Sequence, residues 1–128
     1  MTETRLHSLE SIDTLLLSCP SATVGYPFGP DARVYKVGGR MFAILGNGGD
    51  GPWPTLTLKG PPVMNDLIRR DFAAIRPGYH MNKRHWNTVA LDGEVPDALL
   101  EELVAQSYEL VYRALTRAQK AALTRPGE

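Results

Sequence analysis

Hydrophobic residues recur every three or four positions at the start of the chain. Leu6, Leu9, Ile12, Leu16 and Cys19 follow this spacing, and most of the positions between them are polar. The pattern predicts an amphipathic first helix that runs from about Leu6 until Pro20 stops it.

Alternation of apolar and polar residues then replaces the helical spacing, after a turn-forming YPFGPD segment at 26–31. The run ARVYKVGGRMFAIL (32–45) contains two strand-like halves around Gly38 and Gly39. Because glycine accepts the positive φ of a type I′ turn, this run predicts a β-hairpin. Alternation places Arg33 on one face of the first strand together with Tyr35, and Lys36 on the other face.

A third strand is predicted at TLTLK (55–59), with Leu56 and Leu58 directed toward the core. Pro61 or Pro62 opens a short helix, since proline is tolerated in a first helical turn. That helix closes with Arg69 and Arg70, and WNTVAL (86–91) forms a fourth strand before a turn at Asp92-Gly93.

Pro96 starts the last helix, in which acids precede bases as the helix dipole favours. Its predicted buried stripe is Leu100, Leu103, Val104, Ser107, Val111 and Leu115. The whole order, α-β-β-β-short α-β-α, predicts an α+β two-layer sandwich with an antiparallel sheet and two long helices on one face. At 128 residues the chain is expected to form one domain, with 115–128 as a C-terminal helical extension.

Acids and bases balance at fourteen each, but they are segregated along the chain. From Ala32 to Ala90 there are nine bases and three acids, whereas residues 91–112 hold six acids and no base. Such segregation can build one positive and one negative face, although ordinary solvated charges explain it equally well.

The single Cys19 excludes an intramolecular disulfide and favours a location in the reducing cytoplasm. The N-terminal apolar run is too short for a signal peptide or a membrane span. GNGGDG (46–51) matches the spacing of a dinucleotide-binding loop, but that chemistry requires a helix directly after the glycines, and Pro52-Trp53-Pro54 follows them instead; a strand-connecting loop is therefore expected. No metal motif, nucleophile elbow or unexplained carboxylate pair occurs. We therefore expect no cofactor, no metal and no catalytic activity.

The segment RPGYHMNKRHWN (76–87) combines cationic, amide and aromatic side chains without an acid. Such a mixture suits nucleic acid, because Arg and Lys contact phosphates while rings stack on bases. A structural reading is equally open: Trp86 starts a strand, His80 and Asn82 tie down a turn, and Lys83 and Arg84 are solvated.

The block IRPGYHMNKRHWNTVALDGEVPDALLEELVAQSYELV (75–111), with YPFGPDARVYKVGGRMFAIL upstream, resembles the signature of the MmcQ/YjbR-like family. This resemblance covers nearly the whole chain and implies a bacterial DNA-binding protein with a double-wing arrangement and a fold similar to CyaY and frataxin. The motif positions that it carries over are Arg76, Pro77, His80, Asn82, Lys83, His85, Trp86 and Thr88. Ala90 departs from the larger residue expected there. The first helix, with only Glu10 and Asp13, does not favour the iron binding of frataxins.

The leading hypothesis is a non-catalytic domain that binds double-stranded DNA. The residues predicted to contact DNA are Arg33, Lys36, Arg40, Arg76, His80, Asn82, Lys83, Arg84, His85 and Asn87. About six phosphate contacts would give a salt slope near −5 for log affinity against log salt. The alternative is a small-ligand or protein-interaction module built on Tyr79, His80 and Trp86, with Arg76 holding an anion.

Overall fold

The computed structural model describes residues 7–46, 52–78 and 81–123, and the account below concerns those ranges. Four helices and a six-stranded sheet occur in them. The helices are α1 (Leu9–Leu17), α2 (Pro62–Asp71), α3 (Asp97–Ala114) and α4 (Arg117–Ala122). The strands are β1 (Thr23–Gly25), β2 (Ala32–Val37), β3 (Arg40–Gly46), β4 (Thr55–Lys59), β5 (Ile75–Pro77) and β6 (Trp86–Ala90).

The strands pair antiparallel throughout, in the order β1-β2-β3-β4-β6-β5. This confirms the predicted α+β class with an antiparallel sheet. The β2–β3 hairpin turns at Gly38 and Gly39, whose φ angles of 60° and 83° are those that favour glycine. Among the described helices, none combines the length and apolar character that crossing a membrane requires.

One face of the sheet, the helix face, packs against α1, α2 and α3. Cross-strand pairing brings the apolar residues of the central strands onto this face, and α1 and α3 add their own buried stripes. The fully buried core includes Tyr35, Phe42, Leu45, Leu56, Val89, Ile12, Leu16, Leu100 and Val104. Leu56 and Leu58 point into this core as their alternation predicted.

Several sequence-based boundaries were wrong. Helix α1 ends at Leu17 rather than Pro20, and the short strands β1 and β5 were not predicted. Within the predicted C-terminal helical extension (115–128), the described helix is the separate α4, and residues 124–128 lie outside the described ranges. Helix α3 ends at Ala114, and Leu115 is its C-cap. Thr116 then caps the start of α4 in a capping box, in which the side chains of Thr116 and Gln119 each accept a hydrogen bond from the backbone N–H of the other residue.

A β-bulge in β3 places two consecutive residues, Phe42 and Ala43, on the helix face. The register shifts between Tyr35 and Lys36, and both bulge residues are fully buried. Above the bulge, the buried hydroxyl of Ser107 on α3 donates to the carbonyl of Phe42 at 2.6 Å and accepts from the N–H of Lys59 at 2.9 Å. A helix side chain therefore completes the backbone bonding where β3 and β4 diverge.

Candidate functional site

The face of the sheet opposite the helices carries three of the five basic strand residues, and we call it the cationic face. One row across it joins Arg76, Thr88, Thr57, Ile44 and Val34 through successive cross-strand pairs. The neighbouring row contains Trp86, Lys59, Met41 and Lys36. Because paired residues share a face, three cations (Lys36, Lys59 and Arg76) lie on this one surface.

No acid occurs in any of the six strands. Within the described ranges, the ion pairs are Arg33–Asp13, Arg69–Asp66 and Arg113–Glu109, so none involves the cationic face. Lys36 and Arg76 are exposed. The cationic face therefore has uncompensated positive charge, which is the electrostatic requirement for an anionic partner.

The centre of the cationic face is tightly packed. Thr57 and Thr88 are 5% and 8% exposed, and their hydroxyls bond to each other at 2.9 Å. Trp86 is 9% exposed, with the Lys59 ammonium 5.9 Å from its ring centroid. A macromolecule that approached this face would thus contact the long Lys and Arg side chains before it reached the ring of Trp86 or the threonine hydroxyls.

Residues 81–85 form a basic turn that leads into β6, beside Lys59 on β4. The N–H of Gly60 donates to the carbonyl of His85 at 2.9 Å, which fixes this turn to the end of β4. Lys83, Arg84 and His85 are exposed on it. The basic turn therefore extends the positive surface past the end of the sheet.

Asn82 shapes the basic turn from within. Its side-chain carbonyl accepts from the N–H groups of Arg84 at 3.0 Å and His85 at 3.3 Å. Side-chain to backbone bonds of this kind stabilise turns. The contacts of Asn82 in this structure are therefore those of the turn-forming residue that the structural reading of the sequence predicted.

A buried polar network ties the basic turn to α2. The Asn65 amide donates to the carbonyls of Gly60 and Arg84, both at 3.0 Å. Asn87 donates to Asn65 at 3.3 Å and accepts from the Arg69 guanidinium at 2.6 Å. The same guanidinium also donates to the carbonyl of Lys83 and, at 3.4 Å, to that of Trp86.

Sequence reasoning did not identify Arg69 as distinct from its neighbour Arg70. Arg69 is oriented by bonds to residues 14 to 18 positions away. Arg70 is exposed and has no hydrogen bond or ion pair within the described ranges. Asn87 was predicted to contact bases, but it is 6% exposed on the helix face and both ends of its amide are bonded.

The structure does not bring all the predicted cations together. Arg33 lies on the helix face, where its guanidinium is 3.7 Å from the Asp13 carboxylate. Arg40 pairs with Val37, a core residue, and so belongs to the helix side of the hairpin end. Tyr79 and His80 lie outside the described residues. Lys59 was missing from the predicted set, although its alternation with Leu58 already placed it opposite the core.

Arg33, Asp13 and Tyr35 form a cluster between α1 and β2. The Tyr35 hydroxyl donates to Asp13 at 2.5 Å. Burial, and then this bond to Asp13, raises the pKa of Tyr35. Its bond with the Tyr35 hydroxyl raises the pKa of Arg33. The cluster joins the first helix to the sheet and uses the charge of Arg33 for that purpose.

This cluster predicts a loss of stability at alkaline pH. Above about pH 10 an unfolded tyrosine releases its proton while folded Tyr35 retains it, so the free energy of unfolding falls as pH rises. We expect Tyr35 to contribute up to about 1.4 kcal/mol per pH unit to this fall. Urea denaturation between about pH 10 and 11.5 should show a shallower decline for Tyr35→Phe. Parallel curves for the two proteins would contradict the assignment.

The sequence of this chain is similar to a family model and to known bacterial proteins. The family model YjbR matches residues 17–110. The uncharacterised protein YbdF of Escherichia coli O157:H7 is 35% identical over 118 residues, which cover 92% of this chain and 94% of YbdF. The uncharacterised YjbR of Escherichia coli K12 is 37% identical over 70 residues, which cover 55% of this chain and 59% of YjbR.

Solved structures extend the similarity to the whole fold. The crystal structure of Deinococcus radiodurans protein DR2400, with its DUF419 domain, has a TM-score of 0.83 and 33% identity, and the match covers 98% of this chain and 96% of that one. A Pseudomonas syringae protein has a TM-score of 0.71 at 25% identity, with coverage of 81% and 98%. None of these four proteins is named as an enzyme.

Proposed function

The chain belongs to the YjbR family, and from that premise we propose that it is a non-catalytic protein of the cytoplasm that binds double-stranded DNA through its cationic face. Lys36, Lys59 and Arg76 contact phosphates from the sheet. Lys83 and Arg84 add contacts from the basic turn, and His85 lies beside them. The DNA-binding expectation drawn from the family resemblance agrees with this placement.

The observation that carries the proposal is that the strands contribute cations and no acid to the cationic face. Basic residues project from the cationic face, while the acids of the described ranges lie on helices and loops. A polyanion approaching the sheet therefore meets no strand carboxylate that would repel it. This local arrangement attracts phosphates even though the net charge of the chain is zero.

The width of the cationic face suits a duplex. Arg76 on β5 and Lys36 on β2 are four strand spacings apart in the sheet order, about 19 Å at about 4.8 Å per strand. The major groove of B-DNA is about 12 Å wide. The outer cations can therefore contact phosphate backbones on both sides of a groove.

The same geometry predicts little dependence on base sequence. Asn82 and Asn87, the amides expected to contact bases, are engaged in the turn and in the buried network. Lysine and arginine contacts to phosphate position a protein on DNA but do not distinguish bases. Duplexes of different sequence and equal length should therefore bind with similar affinity.

The salt dependence of binding tests the proposal directly. Five phosphate contacts, made by the five cations, should give a slope of about −4.5 for log affinity against log salt. Labelled duplex titrated with the protein at several salt concentrations measures this slope by fluorescence anisotropy. If no binding occurs in dilute buffer at tens of micromolar protein, the proposal is wrong.

A charge-reversal pair makes the same test specific to the cationic face. Lys36→Glu combined with Arg76→Glu should reduce the slope to about −2.7 and weaken binding about 50-fold near 0.1 M salt. Both positions are exposed, so the melting temperature should change little. The matched control, Arg70→Glu with Arg117→Glu, changes the net charge equally on exposed residues of the helix layer. Equal losses for both double variants would assign binding to net charge rather than to this face.

A further inference from the structure

A groove between α2 and α3 lies in the helix layer, away from the cationic face. Its volume is about 400 Å³, and α2 contributes Met64, Leu67, Ile68 and Asp71 to its wall. These positions recur at three- and four-residue spacing, so they form one stripe along the helix. Met64 and Leu67 are 53% and 46% exposed, which is unusual for large apolar side chains that lie together.

Helix α3 supplies a matching stripe on the opposite wall. Leu99, Glu102, Leu103 and Gln106 follow the i, i+3, i+4, i+7 spacing. Two walls of helical side chains, each with apolar residues, form a channel of the kind that accepts a third amphipathic helix. The occupant should therefore carry apolar residues at the same spacing.

The rim of the groove determines the charge of the occupant. Asp71 and Glu102 are exposed on its two walls, and the lining contains no Lys or Arg. Neither carboxylate forms an ion pair within residues 7–46, 52–78 and 81–123. An acidic rim around an apolar channel complements a helix with basic residues beside its apolar stripe.

We propose that this groove binds a basic amphipathic helix of a partner protein. The apolar ridge of that helix fills the channel between Leu67 and Leu103, and its flanking Lys or Arg residues pair with Asp71 and Glu102. The buried Asn65 network fixes α2, so the groove exists before the partner arrives. The site is distinct from the proposed DNA surface, and the two ligands can bind simultaneously.

A designed peptide provides the test. It has about 16 residues, roughly four helical turns, with Leu at i, i+3, i+4 and i+7 and Lys on the flanks. Chemical shifts of the amides of α2 and α3 should change on titration, with saturation below about 100 µM peptide. A peptide of the same composition, reordered so that Leu no longer forms a stripe, should bind at least about tenfold more weakly.

Substitutions in the groove identify the contact residues. Leu67→Glu should weaken the peptide at least about tenfold, whereas Val63→Glu should not, because Val63 is 71% exposed on α2 but does not line the groove. Glu102→Lys should weaken the Lys-flanked peptide and strengthen a Glu-flanked one. Neither Leu67→Glu nor Val63→Glu should alter duplex affinity, so failure here would be distinguishable from failure of the DNA proposal.

Three results would overturn the inference. The first is equal binding of the striped and reordered peptides, and the second is binding that Leu67→Glu leaves unchanged. The third comes from sedimentation: a wild-type dimer that Leu67→Glu converts to monomer would show that a second copy of the chain occupies the groove.

Discussion

Replacing Arg69 by alanine is expected to lower the free energy of unfolding by about 3 kcal/mol. The guanidinium donates to the Asn87 side chain and to the carbonyls of Lys83 and Trp86. Its removal leaves the side-chain oxygen of Asn87, which is only 6% exposed, without its donor, whereas the Trp86 carbonyl keeps its bond from the N–H of Gly78. Buried polar groups without partners are among the few causes of large losses from a single substitution.

Arg70→Ala is the matched control, because it removes the same side chain one position away on the same helix. Arg70 is exposed and unbonded in the described structure, so its loss should cost about 0.5 kcal/mol or less. Urea denaturation of both variants measures the difference. Similar losses in the two proteins would mean that the network around Asn87 does not stabilise the fold.

The Arg69 variant should also affect DNA binding, since the network orients the basic turn. With the turn less ordered, Lys83 and Arg84 must be fixed when DNA binds, which reduces affinity. Hydrogen exchange at the Trp86 amide, which donates to the carbonyl of Asn82, should accelerate in Arg69→Ala and not in Arg70→Ala.

Ser107→Ala is expected to destabilise the protein by about 2 to 3 kcal/mol. Ser107 is fully buried, and its hydroxyl serves as both donor to Phe42 and acceptor from Lys59. Alanine leaves one buried carbonyl and one N–H without partners, a cost that exceeds the gain of a few tenths of a kcal/mol in helix propensity.

Glu101→Ala, an exposed change on the same helix, should alter stability by less than about 0.5 kcal/mol. Thermal or urea unfolding gives the comparison, and the chemical shift of the Lys59 amide reports the lost bond. A Ser107→Ala protein as stable as the wild type, with an unchanged Lys59 signal, would contradict the role assigned to this hydroxyl.

The bond from Ser107 to Lys59 connects the core to the proposed DNA surface. Lys59 stands at the end of β4, where β3 no longer pairs with it. The position of its side chain over Trp86 therefore depends on a residue of α3 on the other side of the sheet. If the proposed DNA binding holds, substitutions on α3 should change the affinity although α3 lies on the other side of the sheet.

Local patterns in the sequence determined the main elements of this fold. Gly38 and Gly39 required a tight turn, and the alternation in TLTLK directed Leu56 and Leu58 into the core. Proline marked the starts of α2 and α3, because it cannot continue a preceding hydrogen-bonded element but is tolerated at the beginning of a helix. Strands β1 and β5 escaped prediction since three residues are too few to display a period.

The proposed DNA surface, in contrast, depends on contacts between residues far apart in the chain. Alternation alone separated Arg33 from Lys36, but only the packing of α1 decided that Arg33 would be the one neutralised, by Asp13. The pairing of the strands placed Lys36, Lys59 and Arg76 on one face of the sheet. Long-range hydrogen bonding holds the Arg69 guanidinium against Asn87, whereas Arg70 remains exposed to solvent. Secondary structure follows from neighbouring residues, whereas the availability of a charge is set by whatever the tertiary fold brings beside it.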